Sequence, residues 1–303
     1  MQPARAALSR YRRWAALVAV CGGLASFAGC SGVGTLNALT VRHSESVQAD
    51  VPYGELARQR LDVYRPAAAA PAGGWPVVVF FYGGTWTSGS RSDYRFLGEA
   101  LASRGVLTVV ADYRLYPEVR FPDFLHDSAR ALSWGLEHAQ ALGGNPRRVF
   151  VMGHSAGGYN AAMLALDPRW LQTTGHAPSE LAGFIGLAGP YDFLPTDNPD
   201  AQRVFHHPDY PPRAQPIEFV HAGAPRTFLG APERDQVVSF ERSTVQLADK
   251  LRASGVDVTL RPYPRASHIT LMGAFAWPLR PVAPVLDDVT AFIHSTPSTP
   301  LRP

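Results

Sequence analysis

The chain has 303 residues, of which 46% are hydrophobic and 17% are charged, and its formal net charge is +3. This composition excludes an intrinsically disordered chain, and the length suits one α/β domain with a substantial buried core. The sequence shows no basic groove interleaved with aromatic residues, so we expect no nucleic-acid partner.

The first thirty residues have the pattern of an export signal. A basic stretch with four arginines precedes a short apolar run, which a cysteine, Cys30, follows. The apolar run is short for a membrane-spanning helix. Its end, Phe27-Ala28-Gly29-Cys30-Ser31, resembles a bacterial lipobox with Phe27 where Leu is usual. The resemblance implies lipidation of Cys30 and an exported, membrane-anchored lipoprotein; a retained N-terminal anchor would give the same localisation.

Processing at this signal would change the charge and cysteine content of the chain. Residues 1–29 hold four arginines and no acidic residue, so the mature chain would carry a net charge of −1. Cys21 would leave with the signal and Cys30 would carry lipid. No disulfide could then form within the mature domain.

Residues 31–52 are predicted to be an exposed spacer, and residues 53–297 an α/β domain. Apolar runs and turn signals predict strands at 58–64, 76–81, 106–111, 149–152, 181–188, 227–229 and 256–260. Helical periodicity is found at 93–104, 124–142, 161–166, 240–251 and 285–294. Strands that alternate with helices predict a mostly parallel sheet with helices on both faces. Segment 194–225 breaks this alternation and is either a lid or binding loop, or a surface excursion.

A glycine-rich turn, Tyr82-Gly83-Gly84-Thr85-Trp86, follows the predicted strand at 76–81. Acyl transfer needs backbone N–H donors aimed at a developing oxyanion, and enzymes with this chemistry can supply them from a glycine loop after the third strand. Gly84 and Thr85 are therefore candidate oxyanion-hole residues, together with Ala156. An ordinary glycine turn is the alternative.

The stretch Gly153-His154-Ser155-Ala156-Gly157 has the spacing G-x-S-x-G between a predicted strand and a predicted helix. Ser155 is either a helix cap or the nucleophile of a strand–turn–helix elbow. The flanking strand and helix favour the elbow. His154 is interpreted as a structural residue beside the nucleophile.

Asp235 and His268 are the predicted acid and base. They follow Ser155 in the chain order Ser, Asp, His, and each lies in a loop directly after a predicted strand. The carboxyl ends of parallel strands meet at one edge of a sheet, where the three side chains could come together.

Other acidic and histidine residues compete for these roles. Glu233 could be the acid if its loop is drawn differently, and Asp192 has a less usual placement. His294 lies in a terminal helical pattern and is expected at the surface.

His206, His207 and Asp209 suggest a metal site, but their spacing fixes no common face. We therefore expect neither a metal nor a cofactor.

The motifs FYGGTW, DYRLYPE, GHSAGG and GPYDF, followed by the late Asp and His, resemble bacterial α/β-hydrolases of the esterase/lipase group related to hormone-sensitive lipase. The similarity extends from about Tyr53 to about His294. The resemblance implies that Gly83, Gly84 and Thr85 match the HGGG-type oxyanion loop of this group. Tyr82 stands where His is usual in that loop, and Thr85 and Trp86 replace a further glycine. The pattern GGxW is also similar to kynurenine formamidases and feruloyl-esterase-like proteins.

The resemblance implies a serine carboxylesterase that hydrolyses small or short-acyl esters through an acyl-enzyme. A formamidase or amidase, and an inactive hydrolase-fold surface lipoprotein, are the alternatives. Trp86, Tyr159 and Tyr191 follow the motifs and either line the substrate pocket or pack in the core. The segment from Asp112 to Leu115 is expected to brace the glycine-rich turn.

Overall fold

The computed structural model describes residues 32–295 of the chain. The chain divides into two units, Met1–Leu39 and Thr40–Pro303. The described part of the first unit is helix α1, Gly32–Ala38. Within residues 32–295, no helix combines the length and apolar character needed to cross a membrane. The predicted export signal, residues 1–30 with Cys30, lies outside the described residues.

The second unit contains one sheet of eight strands in the order β1-β2-β4-β3-β5-β6-β7-β8. Strand β2 pairs antiparallel with both of its neighbours, β1 and β4. All other neighbouring strands are parallel. The strand bounds are β1 Ser44–Pro52, β2 Arg60–Pro66, β3 Trp75–Phe81, β4 Leu107–Ala111, β5 Gly144–His154, β6 Gly183–Leu187, β7 Thr227–Ala231 and β8 Val258–Pro262.

Most helices of this unit lie between successive parallel strands, and the last two follow β8. They are α2 Arg95–Ala102, α3 Asp123–His138, α4 Ala156–Leu166, α5 Pro168–Gln172, α6 Pro199–Val204, α7 Gln246–Ala253, α8 His268–Gly273 and α9 Val285–His294. Short 3-10 turns are found at Arg91–Tyr94, Pro178–Glu180, Pro216–Phe219 and Trp277–Val282, and a π-helical turn at Phe240–Val245 leads into α7.

The core lies around the central strands. Every residue of β3, β4, β6 and β7 is buried, which requires that both faces of the sheet are covered at these strands. Continuous apolar runs are typical of parallel strands in this position. The predicted α/β-hydrolase fold, a mostly parallel sheet covered by helices, is confirmed.

The predicted spacer at 31–52 is wrong in its second half, because β1 occupies Ser44–Pro52. This strand is an edge strand with most of its residues exposed, so its sequence is polar and lacks the apolar run that reveals the central strands. The start of β1 is fixed by the buried Glu99 of α2. Its carboxylate accepts hydrogen bonds from the backbone N–H groups of His43 and Ser44 at 2.6 and 2.8 Å.

Candidate active site

Ser155 lies in the tight turn between β5 and α4, with φ 52° and ψ −123°. A positive φ in a residue other than glycine costs about 1–3 kcal/mol and persists only where the surroundings enforce it. Close backbone contacts enforce it here. A Cβ on Gly157 would lie 2.1 Å from the Phe81 carbonyl oxygen, and one on Gly153 would lie 2.0 Å from the Gly157 oxygen. Ser155 makes no side-chain cap to α4, so the capping alternative is not what the structure contains.

Asp235 and His268 meet at the same edge of the sheet. Asp235 follows β7, His268 begins α8 after β8, and His268 Nδ1 lies 2.7 Å from Asp235 Oδ2. The Asp235 side chain is fully buried, and its other oxygen accepts from the N–H groups of Val237 and Val238 at 2.8 and 3.2 Å. Because a carboxylate only accepts, the imidazole proton is on Nδ1 and the Nε2 lone pair is left available in the neutral ring.

His154 connects this pair to the serine. Its ring lies 4.8 Å from the His268 ring between centroids, and its Nε2 lies 3.1 Å from the His268 carbonyl oxygen. A carbonyl oxygen only accepts, so His154 Nε2 carries the proton of that bond. His268 is thus bound through its backbone to the residue that precedes Ser155. Among the described residues, 32–295, no hydrogen bond involves Ser155 Oγ, whereas His268 bonds to both Asp235 and His154. A catalytic bond between a serine hydroxyl and its base is often long before substrate binds.

The segment from Tyr82 to Arg91, which we call the glycine loop, lies beside the serine. Gly84, Thr85 and Trp86 have φ values of 125°, 52° and 57°. A Cβ on Gly83 would lie 2.8 Å from Ser155 Cβ, so only glycine allows the loop to approach so closely. Thr85 and Ala156 line the same cavity as Ser155.

Hydrogen bonds from the segment directly after β4 and from the segment before β2 hold the glycine loop. The Tyr82 hydroxyl donates to Asp112 Oδ1 and accepts from Arg58 Nη2, both at 2.7 Å, and the Tyr113 hydroxyl donates to the Tyr82 carbonyl at 2.8 Å. Burial, followed by the neighbouring Tyr113 and then by the charge of Asp112, raises the pKa of Tyr82, so its hydroxyl keeps its proton. The predicted brace from Asp112 and Tyr113 is present. Sequence reasoning missed Arg58, because only the fold brings it to this loop.

Trp86 is buried and lines the cavity beside Ser155. Its ring is stacked 5.7 Å from Phe124, and its Nε1 donates to Asn160 Oδ1 at 2.9 Å. Of the three aromatic residues predicted for the pocket, Trp86 lines the cavity. Tyr159 and Tyr191 are fully buried and are not among its lining residues.

The reasons for these two corrections are local. Tyr159 lies one turn into α4, where its hydroxyl donates to the Ala214 carbonyl at 2.6 Å. Tyr191 packs against Gly186 and Gly189 beside β6. Both positions follow a catalytic motif closely in sequence, but their side chains point into the core.

The cavity next to Ser155 has a volume of about 240 Å³. Pro195, Thr196, Asp197, Asn198 and Ala201 contribute to its wall, so the start of the irregular segment 194–225 borders the site. The remainder of the wall comes from the elbow, the glycine loop, the segment after β6 with Pro190 and Phe193, and the turn before α7. It includes the ion pair of Arg242 with Asp192 at 3.0 Å.

Across residues 32–295, the other candidates for the acid and the base form no hydrogen bond or ion pair with the Asp235–His268 pair. Glu233 is exposed, Asp192 pairs with Arg242, and His294 Nε2 donates to the Arg104 carbonyl. His206 Nε2 donates to the Phe121 carbonyl at 2.8 Å. In the part of the chain that the structure describes, no group of three or more His, Cys, Asp or Glu residues is arranged to hold a metal.

An eight-stranded, mostly parallel sheet with a serine elbow and a buried Asp–His pair at one edge defines an α/β-hydrolase of the esterase/lipase-like class. Residues 61–251 match the BD-FAE family, which is well over half of the chain, so the chain belongs to that family. The predicted class is confirmed.

Curated relatives agree with this class. The chain is 33% identical over 153 residues to isoprenylcysteine alpha-carbonyl methylesterase ICME of Arabidopsis thaliana, covering 49% of this chain and 35% of the relative. It is 29% identical over 249 residues to Esterase LipC of Mycobacterium tuberculosis, covering 75% of this chain and 61% of the relative. The chain therefore spans less than two thirds of the length of either relative.

Solved structures of Thermogutta terrifontis esterase 2 are also similar. The propionate-bound form and a form phosphonylated by sarin each have a TM-score of 0.66 and 25% identity, and each comparison covers 84% of this chain and 96% of the other.

His154 should make stability depend on pH. Burial, followed by the charge of His268, holds the pKa of His154 well below its ordinary value of 6.5. The unfolded chain takes up this proton below about pH 6.5 while the folded chain does not, so stability is full above that pH and lost as the pH falls. The loss approaches about 1.4 kcal/mol per pH unit. Urea unfolding between about pH 5 and 7 should show a shallower decline for His154→Gln than for the wild type.

The exposed His221 provides the control. His221→Gln should leave the wild-type pH dependence unchanged. Equal slopes for the wild type and the His154 variant would contradict a neutral, buried His154.

Proposed function

We propose that this protein is a serine carboxylesterase in which Ser155 is the nucleophile, His268 the general base and Asp235 the residue that orients the base. The observation that carries the proposal is the buried Asp235–His268 pair at 2.7 Å, bound through His154 to the strand that ends at the serine elbow. A binding protein has no need of this arrangement, which favours an enzyme over an inactive hydrolase-fold lipoprotein.

The first half-reaction forms an acyl-enzyme. His268 Nε2 accepts the Ser155 Oγ proton as Oγ attacks the ester carbonyl, and the carbonyl π electrons move to oxygen. The tetrahedral intermediate collapses when the C–O bond to the alcohol breaks, and His268 returns the proton to the leaving oxygen. Water then repeats the sequence on the acyl-enzyme, and the carboxylic acid and free serine are released.

Backbone amides stabilise the negative oxygen of each intermediate. The N–H of Ala156 is one of the first amides of α4, where the helix leaves its N–H groups without intrahelical partners. Gly84 and Thr85 supply the other donors from the glycine loop. Gly83 permits the close approach of the loop to Ser155. Removal of one such donor costs about 10²–10³-fold in turnover in other serine hydrolases.

The substrate is an ester with a small or short acyl group. The cavity beside Ser155, with Trp86 and Phe193 in its wall, has a volume of about 240 Å³, which is below the range usual for pockets that enclose drug-sized ligands. The relative named as an esterase supports an ester substrate, and the propionate-bound neighbour supports a short acyl group. None of these steps uses a metal or cofactor.

Ser155→Ala should lower the turnover of p-nitrophenyl butyrate by at least about 10³-fold, because it removes the atom that forms the acyl bond. The thermal unfolding temperature should change little. A fluorophosphonate probe should label the wild type and not the variant. Undiminished turnover in the variant would rule out the mechanism.

Asp235→Asn should lower kcat by about 10³–10⁴-fold, because an amide cannot hold the imidazole in the tautomer that accepts the serine proton. Glu233, two residues earlier and exposed, is the matched control. Glu233→Gln should stay within about twofold of the wild type, as expected for a surface residue. Equal losses in both variants would contradict the assignment of the acid.

We further propose that residues 1–30 export the chain and that Cys30 carries a lipid, so that the enzyme is anchored at a membrane. Only the sequence pattern supports this step. In a bacterial host that processes lipoproteins, Cys30→Ser should move the protein from the membrane fraction to the soluble fraction and abolish labelling by a fatty-acid analogue. Cys21→Ser should do neither. A Cys30 variant that stays membrane-bound would favour the retained anchor instead.

A further inference from the structure

Arg58 lies just before β2, outside the residues 61–251 that match the family. Its guanidinium connects three points of the active-site frame. Nη2 donates to the Tyr82 hydroxyl at 2.7 Å and to the Gly89 carbonyl at 2.8 Å, and Nε donates to the Tyr113 carbonyl at 3.0 Å. One side chain therefore connects the start of the glycine loop, a residue near its far end, and the segment after β4 that braces the loop.

The glycine loop needs such support because its conformation is unfavourable by itself. Thr85 and Trp86 both have positive φ, which costs about 1–3 kcal/mol for each residue. Within the turn, the N–H groups of Thr87 and Ser88 donate to the Gly84 carbonyl at 3.0 and 3.1 Å. These bonds close the turn, but they do not fix where the turn lies relative to Ser155.

The position of the loop is set by bonds at its ends. Tyr82 is fully buried, and its hydroxyl lies between the Arg58 guanidinium and the buried Asp112 carboxylate. Asp112 also accepts from the N–H of Arg91, the last residue of the loop, at 2.7 Å. Loss of the Arg58 donors would leave the Tyr82 hydroxyl and the Gly89 carbonyl each short of one hydrogen bond.

We propose that Arg58 is a positioning residue for the oxyanion hole, and that the pair of Tyr82 and Arg58 holds the glycine loop in place in this chain. The inference rests on the proposed esterase function. Backbone donors must lie within about 0.5 Å of their productive positions, and a displacement of about 1 Å costs on the order of 10²-fold in rate. Arg58 touches no reacting atom, so its effect is on transition-state stabilisation and not on substrate binding.

Arg58→Gln should therefore lower kcat for p-nitrophenyl butyrate by about 10–100-fold and change KM by less than about threefold. Arg60 is the matched control: its side chain is 29% exposed against 31% for Arg58, and it contacts Asp50 at 3.8 Å and the Gly54 carbonyl at 3.4 Å. Arg60→Gln should keep kcat within about twofold of the wild type.

Two further readouts separate positioning from folding. Titration with a fluorophosphonate counts the competent sites, so that kcat is expressed per active molecule. Ethylguanidinium should restore part of the kcat lost in Arg58→Ala, whereas ethylammonium should not, because the site uses the forked donors of a guanidinium. The double variant Arg58→Gln/Tyr82→Phe should lose less kcat than the product of the two single losses, because the two changes share the Arg58–Tyr82 hydrogen bond.

The outcomes distinguish this inference from the proposed function. A wild type that neither hydrolyses esters nor reacts with the fluorophosphonate probe would contradict both the esterase function and the role of Arg58. A wild type that does both, together with an Arg58→Gln variant of unchanged kcat per titrated site, would overturn the role of Arg58 alone. The same holds if the lost turnover is accounted for wholly by fewer titrated sites, or if ethylguanidinium restores nothing.

Discussion

The active site depends on one close contact, between the backbone at the end of β3 and the backbone of the serine elbow. The Gly157 Cα lies so near the Phe81 carbonyl that a Cβ would be 2.1 Å from its oxygen. This contact holds α4 against β3 and keeps Ser155 in its unfavourable φ. It also places the glycine loop, which begins one residue after Phe81, directly beside the nucleophile. Nucleophile and oxyanion donors are thus positioned by the same pair of adjacent strands.

The base is attached to this frame by a separate connection. His154, on β5, donates to the carbonyl of His268, so the backbone of the base is fixed relative to the strand that carries the nucleophile. Asp235 fixes the orientation of the imidazole ring. The two constraints act on different parts of His268, and each comes from a different strand end. Because burial keeps His154 neutral, it can hold the His268 backbone without placing a positive charge beside the imidazolium that forms on His268 during the reaction.

The sequence predicted the features that depend on short stretches of chain. The buried strands β3, β4, β6 and β7 and the end of β5 are apolar runs, and the elbow is a five-residue motif. The predicted bounds of α9, 285–294, match those observed. Features that depend on distant contacts were missed. The edge strand β1 has a polar sequence and is defined by its pairing with β2. Arg58 and the glycine loop are separated by more than twenty residues, so no local pattern relates them. Trp86 lines the cavity, whereas Tyr159 and Tyr191 do not. The distance of each residue along the chain from its motif does not determine which side chain faces the cavity.

Three residues other than glycine, Ser155, Thr85 and Trp86, have positive φ around one cavity. At about 1–3 kcal/mol each, their combined cost is a large part of the net stability of about 5–15 kcal/mol that is usual for a domain. The surrounding structure must therefore hold them rigidly. Trp86 is held by its aromatic neighbours and by Asn160, and Tyr82 by Arg58 and Asp112. The dense packing beneath the site is thus what allows the donors to be in place before substrate arrives, so that turnover requires little rearrangement of the loop.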